Sequence, residues 1–240
     1  MFNNPAYLVE TRYGVLPRCG KGRLVWAALF GVLLMLLPQT GVAQVQVVAL
    51  GDSLTQGYGL PQGEGFVPQL QNWINEQGLD AQVVNAGVSG DTTAGGLSRI
   101  DWTLTPDVDA VIVALGGNDL LRGIPPATSR ANLEAILQKI SARNLPVLLV
   151  GLPAPNNYGP AFKAEFDAIY PDLAAQYETS LVLDFLGPIA AAAESNRQEA
   201  LSDLMQPDGI HPNAKGVALV VEALGPEVAN LIARAEAGGS

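Results

Sequence analysis

Five short runs, at residues 45–50, 82–85, 110–115, 146–151 and 180–184, are dominated by Val, Leu and Ile. Runs that are apolar on both faces suit strands buried between two layers, as in a parallel sheet. Between them the apolar positions change to helical spacing. Phe66, Leu70, Trp73 and Ile74 form one stripe, and Leu133, Ile136, Leu137 and Ile140 a second. Phe162, Phe166, Ile169, Tyr170 and Leu173 form a third, and Val217, Val220, Val221, Leu224, Val228 and Leu231 a fourth. Such stripes are core faces of amphipathic helices. Alternating strands and helices predict an α/β chain: a three-layer α/β/α sandwich around a parallel, mostly five-stranded, flavodoxin-like sheet. In an open parallel sheet, ligands bind beyond the C-terminal strand ends. The chemistry is therefore expected on the loops that follow strands.

The first 43 residues do not share this pattern. Arg18, Lys21 and Arg23 precede a 14-residue apolar run at 24–37, and small residues stand at Gly41 and Ala43. This reads as a secretory signal peptide over 1–43 with cleavage after Ala43, leaving a single domain over 44–240. A bilayer span needs about 20 apolar residues, so an uncleaved anchor is the poorer alternative. The protein is thus expected outside the cytoplasm, periplasmic or secreted, with no stable membrane insertion once the signal is removed, and as a monomer. The sole cysteine, Cys19, precedes the run, so it is not placed as a lipid-attachment cysteine.

Composition narrows the function classes. The 240 residues carry 13 Lys+Arg against 23 Asp+Glu, a formal charge of −10. Without residues 1–43 the charge becomes −13 and no cysteine remains. An acidic body repels nucleic acid and anionic membrane surfaces. The mature chain can be neither a cysteine hydrolase nor a cysteine-zinc protein, and one histidine excludes a multi-histidine metal centre. No metal and no cofactor are expected.

Three small, polar, Gly-rich loops follow the first three strands: Gly51-Asp52-Ser53-Leu54, then Val88-Ser89-Gly90-Asp91, then Gly116-Gly117-Asn118-Asp119. Near the C-terminus stands Asp208-Gly209-Ile210-His211-Pro212, which holds the only histidine. Histidine is the usual base near neutral pH. A carboxylate three residues earlier can reach its Nδ1 in a tight turn and fix its tautomer. Each element has a plainer explanation alone. Ser53 could cap a helix, Gly90 could serve an ordinary turn, Asn118 and Asp119 could make an Asx-turn, and Asp208 and His211 could be solvated. Their conjunction at one sheet edge favours chemistry.

These four blocks, in this order, resemble the GDSL (SGNH) hydrolase family, and the likeness runs over residues 45–231. The chain is most similar to the bacterial exported thioesterase I/lysophospholipase/arylesterase subgroup. Residues 152–159 (Leu-Pro-Ala-Pro-Asn-Asn-Tyr-Gly) and 166–171 (Phe-Asp-Ala-Ile-Tyr-Pro) share that likeness. The resemblance implies a serine hydrolase of carboxylic esters, and of thioesters as a further class. Ser53, Asp208 and His211 would be catalytic. Ser53 N–H, Gly90 N–H and the Asn118 amide would form the oxyanion hole. Leu152, Pro153 and Tyr158 would flank the acyl chain, in a loop that could equally be an ordinary connection after the fourth strand. Asp52 and Asp119 are expected to hold their loops, and Asp91 and Thr92 to orient the Gly90 turn. The expected partner is a lipid or small aryl or alkyl ester. The rival is a non-catalytic phosphate- or lipid-binding module on a doubly wound sheet. The first loop lacks the Gly-x-Gly-x-x-Gly spacing and any Walker lysine, and that rival leaves Asp208 and His211 without a role.

Overall fold

The computed structural model describes residue 14, residues 44–194 and residues 197–238. Apart from residue 14, the segment 1–43 read as a signal peptide lies outside the described residues. In chain order the elements are β1 (Val45–Gly51), α1 (Ser53–Gln56), α2 (Phe66–Glu76), β2 (Ala81–Gly87), α3 (Thr93–Thr103), β3 (Ala110–Ala114), α4 (Gly117–Leu121) and α5 (Pro126–Ser141). They continue with β4 (Val147–Val150), α6 (Pro160–Asp167), α7 (Ile169–Tyr177), β5 (Ser180–Val182), α8 (Gly187–Ala192), α9 (Arg197–Leu204) and α10 (Ala214–Gly238). The five strands are parallel, in the order β2-β1-β3-β4-β5. This is the flavodoxin-like order, with its switch point between β1 and β3.

Side chains alternate across the sheet because a strand has a two-residue period. Val47, Ala49, Ile112, Leu148 and Val150 pack on one face with Phe66, Leu70 and Ile74 of α2 and Val217 to Ile232 of α10. Val48, Leu50, Val111, Val113 and Leu149 pack on the other face with Ile100, Leu133, Ile136, Phe166 and Leu173. Both faces of the central β1, β3 and β4 are buried, which explains their continuous apolar runs, whereas the edge strands are more open: β2 buries Ala81 and Val83 but exposes Val84, and β5 is half-buried throughout. The 25-residue α10 is long and apolar enough to cross a membrane by composition, yet half of that stretch is buried against the sheet.

The third apolar stripe suggests one helix, but the chain makes two, α6 and α7, divided at Ala168. Pro171 supplies the reason. It has no N–H to return to the Asp167 carbonyl, so the helical ladder is interrupted there. The stripe survives the break because Phe166, Ile169, Tyr170 and Leu173 all remain buried.

Tyr170 connects this core to the sheet edge. Its hydroxyl is fully buried and donates to the Leu115 carbonyl at 2.9 Å. That carbonyl precedes Gly116, which has φ +124° and where a Cβ would lie 2.2 Å from the Tyr170 oxygen. A Tyr170→Phe chain strands the Leu115 carbonyl in an apolar interior. Its unfolding free energy is expected to fall by about 1–3 kcal/mol, measured by urea titration.

Candidate active site

The site begins at the C-terminal end of β1. Asp52 caps α1, its Oδ1 accepting the Leu54 N–H at 3.0 Å, and Gly57 closes the short helix in the left-handed region at φ +89°. Ser53 is therefore the first residue of a helix that starts directly from a central strand. Its hydroxyl stands at the sheet edge, where a doubly wound sheet places its ligands.

The partner of Ser53 arrives from 158 residues away. His211 Nε2 lies 2.8 Å from Ser53 Oγ, and His211 Nδ1 lies 2.7 Å from Asp208 Oδ2. The remaining Asp208 oxygen, Oδ1, accepts the Ile210 and His211 N–H groups at 2.9 and 3.0 Å. The carboxylate is thus fixed by three donors, which hold its pKa down to about 2, the imidazole bond first and the two backbone bonds next. The segment carrying it is a tight antiparallel turn. Met205 bridges Pro212, the Gln206 N–H donates to the His211 carbonyl at 2.7 Å, and Gly209 takes φ +66°.

Asn118 is the second residue of α4, and its Nδ2 donates to Asp52 Oδ2 at 3.2 Å. One amide hydrogen is thereby committed, and the other is left for a ligand. Asp52 is almost fully buried, which raises its pKa to about 6, opposed by the Leu54 N–H, the Asn118 amide and the His211 charge. Asp119 is completely buried and accepts from the Thr93 N–H, the Thr93 hydroxyl and the Ser129 hydroxyl. The two aspartates hold their loops as the sequence suggests. Gly90 sits third in the turn Val88–Asp91, closed by the Asp91 N–H on the Val88 carbonyl at 3.0 Å. Its φ of +84° is what that turn position demands, and only glycine adopts it without strain. Neither the Ser53 nor the Gly90 N–H has an internal acceptor among the described residues.

Ser53, Asn118 and His211 line one cavity of about 260 Å³. Leu152, Pro153 and Tyr158 line it too, so the structure brings the three expected groove residues to the same place as Ser53. Gly90 lies outside that lining, at the turn beyond it. The cavity also takes Leu54, Pro155 and Ile210 from the blocks read in the sequence, and Leu120, Leu121 and Leu186 from outside them. Tyr58 was missed as well. Its ring lies 4.8 Å from the His211 ring, and its carbonyl accepts from the Gln206 amide at 2.8 Å. No spacing rule connects residues 58 and 211, so only the fold reveals the contact. A larger groove, about 820 Å³, runs beside α2 and β2, but it is lined by amides and prolines and has no base.

Asp52 and Asp208 give opposite pH signatures. Asp208 is lowered, so its contribution to stability is present above pH ~4 and is lost as pH falls through about 2. Asp52 is raised, so its contribution is complete below pH ~4 and is lost as pH rises through about 6. Denaturant titrations between pH ~4 and ~6 should therefore show a smaller decline in stability for the Asp52→Asn chain than for the wild type, Asp184, also raised by burial, keeping its own share.

Residues 49–219 match the GDSL-like Lipase/Acylhydrolase family. The esterase TesA of Pseudomonas aeruginosa is 39% identical over 200 residues, covering 83% of this chain and 94% of that protein. The thioesterase 1/protease 1/lysophospholipase L1 of Escherichia coli K12 is 33% identical over 204 residues, covering 84% and 91%. Among solved structures, AlinE4, described as an SGNH-hydrolase family esterase, is 44% identical with a TM-score of 0.62, covering 78% of this chain and 96% of that one. Motif order, sheet order and these similarities agree: the chain belongs to the GDSL-like lipase/acylhydrolase family and is a hydrolase of its esterase type.

Proposed function

We propose that the protein hydrolyses carboxylic esters of lipid-like or small aryl and alkyl substrates through a Ser53–His211–Asp208 triad. The observation that carries this reading is the continuous hydrogen-bonded line from Asp208 to His211 to Ser53, at 2.7 and 2.8 Å. A phosphate- or lipid-binding module would have no use for that line.

In this mechanism Ser53 Oγ attacks the acyl carbon while His211 Nε2 takes its proton. The electron pair of the carbonyl moves to oxygen and makes a tetrahedral oxyanion. When the intermediate collapses, the imidazolium returns the proton to the leaving alcohol or thiol, and an acyl-serine remains. Water then repeats the sequence: His211 removes its proton, the oxygen attacks the acyl carbon, and Ser53 leaves with the proton restored. Asp208, with its pKa near 2, stays charged throughout and stabilises the imidazolium without taking a proton. The Ser53 N–H, the Gly90 N–H and the second Asn118 amide hydrogen are the donors for the oxyanion. Their freedom from internal acceptors suits that task, since preset donors need no rearrangement during the reaction.

The apolar cavity wall of Leu54, Leu120, Leu121, Leu152, Pro153, Tyr158 and Ile210 suits an acyl chain. Tyr58, Leu121, Tyr158 and Ile210 are substantially exposed around it, which suits substrates bulkier than acetate. Such a groove separates chain lengths by only about 1–3 kcal/mol per methylene, so broad acceptance is expected.

Ser53→Ala and His211→Ala should each abolish hydrolysis of p-nitrophenyl butyrate with an unchanged far-UV circular dichroism spectrum. Asn118→Ala should lower kcat about 10²- to 10³-fold with KM nearly constant, because the donor acts on the transition state. Retained activity in Ser53→Ala would remove the nucleophile from the reading. For export, the basic flank, the 14-residue apolar run and the small residues at 41 and 43 are the support. Sequencing the N-terminus of protein recovered outside the cytoplasm should begin at Gln44.

A further inference from the structure

Arg99 of α3 is not among the four motif blocks, yet each of its guanidinium nitrogens has a separate acceptor. Nε bonds Asp91 Oδ2 at 2.7 Å, Nη1 the Ala86 carbonyl at 2.7 Å, and Nη2 the Gly51 carbonyl at 2.9 Å. The three acceptors belong to three segments at the sheet edge. Gly51 ends β1 two residues before Ser53. Ala86 lies at the end of β2. Asp91 is the residue after Gly90. The Gly51 carbonyl also accepts the Val88 N–H at 3.1 Å, so it anchors the start of the Gly90 turn as well. The turn is therefore gripped at both ends by one planar cation.

We infer that Arg99 is a positioning residue which sets the spacing between the two backbone donors, Ser53 N–H and Gly90 N–H, by bracing β1, β2 and the Gly90 turn against α3. The inference rests on the oxyanion role proposed for those donors. Local packing supports it. The Arg99 and Asp91 side chains are only 21% and 18% exposed, so their ion pair is shielded from water. Gly95, one turn earlier on α3, leaves the space for the carboxylate, since a Cβ there would lie 2.5 Å from Asp91 Oδ1. A second tie comes from outside this brace: Arg122 Nη2 donates to the Gly90 carbonyl at 2.7 Å, joining the turn to the end of the Asn118 helix. Lysine cannot replace Arg99, because a single ammonium has neither the planar fork nor the reach to serve three acceptors on separate segments.

The brace matters because donors must meet an oxyanion that exists only in passing. A misplacement of about 1 Å can cost about 100-fold in rate. The predicted signature is a loss in kcat with little change in KM, since ground-state binding depends on the apolar cavity rather than on the hole. Arg99→Lys and wild type should be compared on p-nitrophenyl butyrate. Competent sites are counted by prolonged stoichiometric labelling with diethyl p-nitrophenyl phosphate, so that misfolded protein does not enter the rate. Per labelled site, kcat should fall about 10- to 100-fold while KM stays within about threefold, and methylguanidinium should restore part of the rate in Arg99→Ala. Arg130→Gln, which removes an exposed ion pair with Asp172 away from the site, should leave both constants unchanged. Wild-type kcat per labelled site in Arg99→Lys, or a loss carried by KM, overturns the inference. Should Arg99→Lys fail to fold, Asp91→Ala takes its place: it removes the side-chain acceptor of Arg99 Nε and so cuts the direct link to the turn, and an unchanged kcat there overturns the inference equally. Activity in Ser53→Ala would instead strike at the proposed function, so the two failures are separable.

Discussion

A single hydrogen bond, from the Ser53 hydroxyl to His211 Nε2, requires the two ends of the domain to meet. One such bond contributes about 1 kcal/mol net, far too little to close a loop of 158 residues unaided. The fold must hold it. Ser53 is fixed by β1, the second strand in the sheet order, and by the Asp52 cap. His211 is fixed by its C-terminal neighbours: the Asn213 side chain accepts the Lys215 and Gly216 N–H groups at the start of α10 and donates to the Asp203 carbonyl. The α10 apolar stripe then locks that whole end against the sheet. The meeting of Ser53 and His211 is a by-product of core packing, and it is rigid for that reason.

Polar burial shows where that rigidity has a cost. Among the described residues the fully buried polar side chains are Asp52, Thr55, Thr93, Asp119 and Ser129. Four of them, Asp52, Thr93, Asp119 and Ser129, belong to two small networks behind the three glycine-rich loops. Burying such groups is unfavourable unless partners are supplied, and each carboxylate oxygen of both aspartates has at least one donor. Asp52 illustrates the tension: its raised pKa means the fold would stabilise the neutral form, yet the Asn118 amide is held by an accepting oxygen. The network costs stability at neutral pH and in return orients the amide.

The central strands β1, β3 and β4 were legible because burial on both faces leaves a run of Val, Leu and Ile. The four polar blocks were legible because each follows a strand, and a parallel sheet sends all such loops to one edge. What could not be read depends on contacts with no fixed sequence spacing. Tyr58 brings its ring to 4.8 Å from that of His211, Leu186 completes the cavity from a distant loop, and Arg99 finds two carbonyls and a carboxylate from α3, which none of the four apolar stripes covers. The split between α6 and α7 was written in Pro171, but the unbroken apolar stripe concealed it, because a one-residue interruption leaves the same side chains buried.

Leu152 explains how substrate preference and stability are tied together. It packs against both hydrophobic clusters, one on each face of the sheet, and also lines the cavity beside Ser53. Changing it to widen the groove would remove contacts from two cores at once. Tyr158 and Leu121, on the exposed rim, carry no such double duty; Tyr158 rests on Phe162 at 4.8 Å. The cavity therefore has an inner wall constrained by folding and an outer rim free to vary. Under the proposed reading, the chemistry near Ser53 tolerates little change, whereas acyl-chain and leaving-group preference can shift through rim residues without loss of the fold.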